Sequence, residues 1–342
     1  MPPLIAWLYL LTPKDRVLSA LRGERVDRVP VSAVTQVGTV EAMAKTQAFW
    51  PDAHSDPEKM AALGVSLYRL AGLEAARIPF CLTVQAEAMG CPVDMGKGDR
   101  PPTVVAHSQA QIDQVALPPG YLDRGRIPMV IRATELLRSR YPDLPVMVGM
   151  EGPFTLAGHL VGIERLMLMT IRQRETVMNV VDICTKASVE YARALIDAGA
   201  DVIVPCDPSA SPELMSPKDF SSMVKPKLQE LAQAISKRGG IGVLHICGRV
   251  QRIMKDMAET GFDSLSIEEK VDLSAAKALI GPKPTLVGNV SAANTLFLGR
   301  PEQVREEAKK ALAAGVDVLA PGCGIAPRTP LENIRALVGT ST

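Results

Sequence analysis

Apolar runs and helical periodicities alternate along most of the chain. Short runs of branched apolar residues without polar alternation are typical of parallel strands that are covered on both faces. Such runs predict strands over residues 29–34, 66–70, 145–150, 201–206, 242–247, 264–267, 285–289 and 317–321. Apolar residues that recur every three or four positions predict helices between Thr12 and Gly23, and over residues 39–50, 57–63, 124–140, 164–198, 217–237, 250–260, 273–279, 301–314 and 330–338.

Eight predicted strands with helical partners favour a single (β/α)8 TIM barrel over an open doubly wound sheet. Residues 81–117, which hold several Gly and Pro residues, are predicted to be an irregular excursion between barrel elements. No linker-like stretch divides the rest, so residues 12–342 are predicted to form one domain. Residues 1–11 are predicted to be an N-terminal helical extension that is packed on the body or partly disordered. Their apolar run is far shorter than the roughly 20 residues that a membrane span needs.

Polar side chains collect where the predicted strands end. In (β/α)8 barrels the active site lies at the carboxyl ends of the strands. The polar residues at these ends are Glu151, Asp207, His245, Cys247, Glu268, Glu269, Asn289 and Cys323. The sequence therefore places its candidate chemistry at one mouth of the barrel.

One histidine and two cysteines at these strand ends predict a metal site. His245 and Cys247 are two residues apart, so that both side chains can turn to the same side of a strand, and Cys323 follows another apolar run. If the two strand ends converge, one imidazole and two thiolates hold zinc and leave a fourth position open, as in catalytic zinc sites. A core histidine with two small apolar thiols would explain the same residues, but their shared placement favours the metal.

The strand-end carboxylates have several interpretations. Glu151 could cap the helix that starts beside it, contact the metal or accept a proton. Asp207 is consistent with a turn, and Glu268 with Glu269 is consistent with a solvated pair. Cys206 also ends a strand, where a core thiol is the alternative to a metal ligand.

The composition of the chain argues against several classes of function. The 342 residues carry a net charge of +1, which predicts no field strong enough to gather nucleic acid or an anionic membrane. Six cysteines without regular spacing do not form a disulfide framework, and they predict a cytoplasmic protein. No Walker sequence, Rossmann glycine fingerprint or nucleophile elbow occurs, which argues against nucleotide, dinucleotide and serine-hydrolase chemistry.

Several motifs resemble the uroporphyrinogen decarboxylase superfamily and, within it, the zinc-dependent methylcobamide:coenzyme M methyltransferases of methylotrophic methanogens. The motifs are RVDRVPV at residues 25–31, PFCLTV at 79–84, AMGC at 88–91, GMEGP at 149–153, LHICG at 244–248 and APGCGIAP at 320–327. The resemblance extends from Thr12 to the C terminus. It assigns the His-x-Cys and remote Cys zinc ligands of the family to His245, Cys247 and Cys323.

This resemblance implies alkyl transfer to a thiol. Coenzyme M, 2-mercaptoethanesulfonate, would bind zinc through its sulfur, and a separate corrinoid protein would deliver the methyl group as a methylcobalamin cofactor. We expect Glu151 as a catalytic residue and Arg77, Arg249 and Asn289 as cofactor-binding residues, with Arg328 as a further candidate for the sulfonate. Exposed arginines are common, so a surface role is the alternative for each arginine.

The decarboxylase branch is the principal alternative. Its members follow an Arg-x-Pro-Val start with two arginines that hold substrate carboxylates, whereas residues 35–39, TQVGT, contain no arginine here. A methyltransferase that acts on another thiol and a barrel that binds a thiol without turnover also remain open.

Overall fold

The computed structural model describes residues 11–107 and 112–341. The predicted extension over residues 1–11 therefore lies, apart from Leu11, outside the described residues. The strands of the described ranges are β1 (Ala76–Ile78), β2 (Val93–Asp94), β3 (Thr103–Val104), β4 (Val146–Glu151), β5 (Val202–Cys206), β6 (Ile241–His245), β7 (Ser264–Ser266), β8 (Thr285–Val290) and β9 (Val318–Pro321).

Helices alternate with these strands. The α-helices are α1 (Pro13–Leu21), α2 (Val40–Thr46), α3 (Pro57–Gly64), α4 (Ser66–Ala71), α5 (Val84–Ala88), α6 (Ile127–Arg140), α7 (Pro153–Val161), α8 (Ile163–Arg172), α9 (Arg174–Asp197), α10 (Pro217–Asp219), α11 (Lys225–Lys237), α12 (Met254–Ala258), α13 (Leu273–Ile280), α14 (Pro301–Ala313) and α15 (Leu331–Val338). A π-helical turn, Phe220–Val224, joins α10 to α11.

Seven parallel strands form the main sheet, in the order β1-β4-β5-β6-β7-β8-β9. Each strand of this order pairs in parallel with the next, and every residue of the longest strands, β4 and β8, is buried. The sheet is curled into a half-barrel, and β2 pairs with β3 as a separate small hairpin. Because all seven strands run the same way, their carboxyl ends open on one side of the curl, where the predicted polar residues lie.

The segment around Val31 contacts both edges of the main sheet. Val31 forms a single parallel bridge with Leu319 of β9. On its other side, its carbonyl accepts a hydrogen bond of 2.9 Å from the backbone N–H of Glu74, just before β1. The strand predicted over residues 29–34 is thus reduced to one bridge, since Pro30 has no N–H to donate and the Glu74 carboxylate, at 3.0 Å, accepts from the Val31 N–H.

The prediction of a strand over residues 66–70 is wrong, because these residues form α4. A single residue separates this helix from α3. Gly72, with a left-handed φ of 85°, ends the helix. The strand in this part of the chain is β1, which is only three residues long. Its central residue is the buried Arg77, and a charged residue interrupts the apolar run by which buried strands are recognised.

The other predicted strands are confirmed to within two residues at each end. The helix predicted over residues 164–198 is divided at Gln173 into α8 and α9. The periodicity does not predict α7, because nearly all of its side chains are buried and no polar face reveals the helical period.

A buried ion-pair network fixes the motif at residues 25–31. Arg16 of α1 donates to both oxygens of Asp27, at 2.6 and 2.7 Å, and its third nitrogen donates to Glu74. Arg28 donates to the other oxygen of Glu74 at 2.8 Å. Since Glu74 also accepts from Val31, these pairs hold the segment that contacts the two sheet edges.

We expect Asp27→Asn to lower the free energy of unfolding by about 1–2 kcal/mol at pH 7, after allowance for partial screening by solvent. The hydrogen bond from Arg16 lowers the pKa of Asp27 from 3.8 to about 2. A depressed pKa gives stability that is present above pH 3.8 and is lost as the pH falls towards 2. Urea unfolding of the unaltered protein and of Asp27→Asn should give a difference in the free energy of unfolding that is constant from pH 7 to 5 and becomes smaller below about pH 4. A difference that is independent of pH would contradict the ion pair.

Within the described ranges, no helix taken singly has the length and apolar composition needed to cross a membrane. The helices α7 and α8 meet that criterion only as a pair, and they are bent by 104° relative to each other.

Candidate metal and thiol site

The ends of β6 and β9 supply three side chains that meet. His245 is the last residue of β6, and Cys247 follows it by two positions. Gly248, with a left-handed φ of 88°, then turns the chain away. Cys323 follows the end of β9 by two positions. β7 and β8 lie between β6 and β9 in the sheet, so the curl of the sheet brings the two ends together.

The three ligand atoms form a compact triangle. Nε2 of His245 lies 3.0 Å from Sγ of Cys247 and 3.9 Å from Sγ of Cys323. The two sulfurs are 3.7 Å apart. His245 is buried, and both cysteines are partly exposed. One imidazole nitrogen and two thiols at these separations could hold a metal ion between them.

Ser266 orients the histidine. It is the last residue of β7 and pairs in register with His245 across the sheet. Its Oγ lies 3.0 Å from Nδ1, the ring nitrogen that faces away from the cysteines. When Nδ1 carries the proton and donates to Ser266, Nε2 is left unprotonated and directed at the two sulfurs.

The two cysteines differ in their readiness to ionise. The hydrogen bond from the Cys247 thiol, together with the neighbouring His245, lowers the pKa of Cys323 to about 4, although burial opposes this effect. The pKa of Cys247 is raised, first by that same hydrogen bond and then by burial. Cys323 is therefore the thiolate of the pair at neutral pH.

A cavity of about 150 Å³ opens beside the triangle. The three ligands form part of its wall. The other lining residues are Thr35, Gln36, Arg77, Cys81, Leu82, Cys206, Pro208 and Gly324. Only a small molecule can occupy this space next to the metal-binding atoms.

Known proteins share this architecture. The model of the family described as uroporphyrinogen decarboxylase (URO-D) matches residues 12–342. The chain belongs to the uroporphyrinogen decarboxylase family. The resemblance predicted from the motifs is thereby confirmed, as is an α/β fold of the uroporphyrinogen decarboxylase type.

Within this family, the chain is more similar to a methyltransferase than to a decarboxylase. The methylcobamide:CoM methyltransferase MtaA of Methanosarcina barkeri is 48% identical over 330 residues, which are 96% of each protein. A solved structure described as a methyltransferase from Methanosarcina mazei is also 48% identical, has a TM-score of 0.93, and the match covers 96% of this chain and 98% of that chain. The uroporphyrinogen decarboxylase of Thermus thermophilus is 29% identical over 341 residues, 95% of this chain and 96% of the decarboxylase.

In this uroporphyrinogen decarboxylase family member, two strand-end carboxylates bind helix N-termini. Both oxygens of the buried Glu151 accept from backbone N–H groups of α5, at 3.1 and 3.4 Å, and burial raises its pKa. Asp207 accepts from the N–H groups of Phe154 and Thr155 in α7, at 3.2 and 2.7 Å. Burial raises the pKa of Asp207 to about 6. Neither carboxylate lines the cavity beside the triangle. Both oxygens of Glu151 are already hydrogen-bonded to backbone N–H groups of α5.

Three further residues proposed from the sequence also lie outside the cavity lining. The side-chain amide of Asn289 donates to the carbonyls of Glu268 and Val271, at 3.1 and 2.8 Å, and so supports the loop after β7. Arg249 is exposed, and Arg328 donates to Asp99 at 2.9 Å near the surface. Among the proposed cofactor-binding residues, Arg77 is thus the one that faces the cavity.

The remaining strand-end residues have local partners. Glu268 pairs with Lys270 at 3.1 Å, and Glu269 accepts from Ser291 at 2.9 Å. Cys206 lines the cavity but is not part of the metal-binding triangle, and burial raises its pKa to about 12. It is therefore a neutral thiol.

Ser266 and Thr35 are not recognisable as site residues from the sequence. A serine at the end of an apolar strand and a threonine after one carry no special signal, because both residue types are common in strands and turns. Their roles depend on neighbours that the curl of the sheet supplies.

Proposed function

We propose that this protein is a zinc-dependent methyltransferase that moves a methyl group from a methyl-Co(III) corrinoid protein to the thiol of coenzyme M. The observation that carries this proposal is the triangle of His245, Cys247 and Cys323 beside a small cavity. The names of the similar methyltransferases supply the substrates, methylcobamide and coenzyme M.

The spacing of the three ligand atoms supports zinc as the metal. In a tetrahedral zinc site, with bonds of about 2.0 Å to nitrogen and about 2.3 Å to sulfur, the two sulfurs lie roughly 3.8 Å apart and nitrogen and sulfur roughly 3.5 Å apart. Here the sulfurs are 3.7 Å apart, and the two nitrogen–sulfur distances, 3.0 and 3.9 Å, lie on either side of the ideal. Three protein ligands leave the fourth position for a substrate.

Each residue of the triangle has a task in this chemistry. Cys247 and Cys323 bind as thiolates and neutralise the charge of the metal, while Ser266 holds His245 in the required tautomer. When bound, zinc would keep the thiol of coenzyme M deprotonated at neutral pH. The cavity admits this small thiol and limits the water beside it.

The reaction balances without a further reactant. The thiolate sulfur forms a bond to the methyl carbon as the carbon–cobalt bond breaks. The electron pair of that bond stays on cobalt, which leaves the corrinoid as Co(I) and coenzyme M as its methyl thioether.

The size of the cavity supports a separate corrinoid protein as the methyl donor. A corrin ring is far larger than a space of about 150 Å³, so the methyl group has to be presented from outside, at the mouth of the curl. We further propose that the segment around Val31 completes an eight-membered barrel, since it hydrogen-bonds to β9 and to Glu74 before β1. Residues 12–342 would then form one domain. The six cysteines of the chain are compatible with a reducing cytoplasm.

The deciding experiment is a methyl-transfer assay with methylcobalamin and coenzyme M. We expect the zinc-loaded protein to demethylate methylcobalamin and to form the methyl thioether, to lose this activity when a chelator removes the metal, and to regain it with added zinc. Full activity in protein shown to be free of metal would contradict zinc dependence. Decarboxylation of uroporphyrinogen by the metal-free protein, without methyl transfer, would favour the decarboxylase alternative.

A further inference from the structure

Arg77 is a buried cation without an acidic partner in the described part of the chain. It is the central residue of β1, is 2% exposed and lines the metal-site cavity. Its Nε donates to the carbonyl of Val34 at 3.0 Å, and its Nη1 donates to the carbonyl of Pro79. No described residue accepts a hydrogen bond from its Nη2, and no carboxylate of the described ranges pairs with it. Two neutral carbonyls thus position a charge that they do not compensate.

An uncompensated charge in a protein interior is costly, because burial removes its hydration. Burial accordingly lowers the pKa of Arg77. The Cys206 thiol on the same cavity wall does not supply the missing charge, and the Cys81 sulfur is directed at other donors. Cys206 stays neutral, and the sulfur of Cys81 accepts from Arg126 and Thr83, at 3.3 and 3.4 Å. Neither the carbonyls that hold Arg77 nor the neutral Cys206 thiol supplies this counter-charge, whereas a ligand anion bound in the cavity would.

Thr35 gives independent evidence for a ligand at this place. It is 5% exposed, lines the same cavity, and its hydroxyl has no hydrogen-bond partner among the residues that the structure describes. Buried hydroxyls without a partner are rare in folded proteins. A guanidinium and an unpartnered hydroxyl on one cavity wall are together suited to a small oxyanion.

Space for the guanidinium is provided by the neighbouring strand. Gly149 of β4 lies against Nη2, and a Cβ at position 149 would overlap this nitrogen. The missing side chain thus lets an arginine occupy the interior of the sheet, and the two carbonyl contacts fix its direction.

We infer that Arg77 and Thr35 form an anion subsite that binds the sulfonate of coenzyme M and makes the cavity selective for short anionic thiols. This inference rests on the proposed function, which places the thiol sulfur at the metal. Coenzyme M has only two carbons between its sulfur and its sulfonate, so both ends fit in one cavity of this size. A neutral thiol of the same length would reach the metal but leave the guanidinium without a counter-charge.

The test compares the affinities of zinc-loaded protein for coenzyme M and for 2-mercaptoethanol, its neutral counterpart, by calorimetry. We expect Arg77→Met to weaken coenzyme M about 100-fold and to change 2-mercaptoethanol less than about threefold. Thr35→Val, which removes a hydroxyl without a protein partner and should fold normally, is expected to weaken coenzyme M about fivefold. Arg305→Met, at an exposed arginine of α14, is the matched control and should leave both affinities unchanged.

The subsite would be overturned if variants that keep their zinc lost affinity for coenzyme M and for 2-mercaptoethanol to the same extent. It would likewise be overturned if the ratio of these two affinities were unchanged in both Arg77→Met and Thr35→Val. If Arg77→Met does not fold, Thr35→Val carries the comparison. Ethanesulfonate, which has no thiol, separates this inference from the proposed function. Binding of ethanesulfonate that depends on Arg77 or Thr35 would support the subsite even if neither thiol reached the metal, an outcome in which the proposed function fails.

Discussion

Cys323→Ala and Cys247→Ala are each expected to lose most of the bound zinc and at least about 10³-fold in methyl transfer. Each change removes one of three ligands, and two remaining ligands hold zinc weakly. The expected loss of rate corresponds to the several kcal/mol that a metal ion supplies when it stabilises developing charge. Zinc content by elemental analysis and the rate of methylcobalamin demethylation measure the two effects.

Cys206→Ala is the matched control for these variants. Its thiol lines the same cavity and is buried, but it lies outside the metal-binding triangle. We expect this variant to keep about one zinc per chain and most of its activity. Full zinc retention in both Cys247→Ala and Cys323→Ala would contradict the proposed metal site. Loss of zinc in Cys206→Ala would mean that Cys206 is a ligand in addition to the three residues of the triangle.

The three candidate metal ligands can be identified from the sequence. His245, Cys247 and Cys323 combine uncommon residue types with positions at strand ends, and in a parallel curled sheet all such ends face one mouth. Residue type and strand period are local properties of the chain. The convergence of β6 and β9, in contrast, depends on the curl of the intervening strands.

The strands next to Arg77 illustrate what periodicity misses. An apolar run over residues 66–70 predicts a strand, yet these residues form a helix that Gly72 ends, and the true strand holds an arginine at its centre. Arg77 interrupts the apolar pattern by which β1 would be recognised as a strand, and the same residue lines the cavity. Local and global requirements conflict at this position, as is common at functional sites.

The segment around Val31 shows a second limit. The apolar residues over 29–34 predict a full strand, but Pro30 cannot donate to a ladder and Glu74 accepts from Val31 in place of a neighbouring strand. The acceptor for the Val31 N–H is a side chain more than forty positions away. Such long-range pairs of charged and backbone groups leave no periodic signal in the sequence.

Ser266→Ala is expected to weaken zinc binding about 10–100-fold, with a matching loss of methyl transfer at limiting zinc. The substitution leaves Nδ1 of the buried His245 without its hydrogen-bond partner, so the ring is no longer fixed in the tautomer that directs Nε2 at the metal. Competition with a chromophoric chelator measures the affinity. Ser266→Thr keeps a hydroxyl at this position and should recover part of the loss.

Ser264→Ala separates this orienting role from strand stability. Ser264 lies on the same strand two residues earlier, and its hydroxyl bonds with Thr285 and donates to the carbonyl of Leu21, at 2.6 and 3.1 Å, rather than contacting His245. Its loss should lower the free energy of unfolding by about 1 kcal/mol and leave zinc affinity unchanged. Equal zinc affinities in Ser266→Ala and the unaltered protein would mean that β6 alone positions the histidine; equal losses in both serine variants would trace the effect to strand stability.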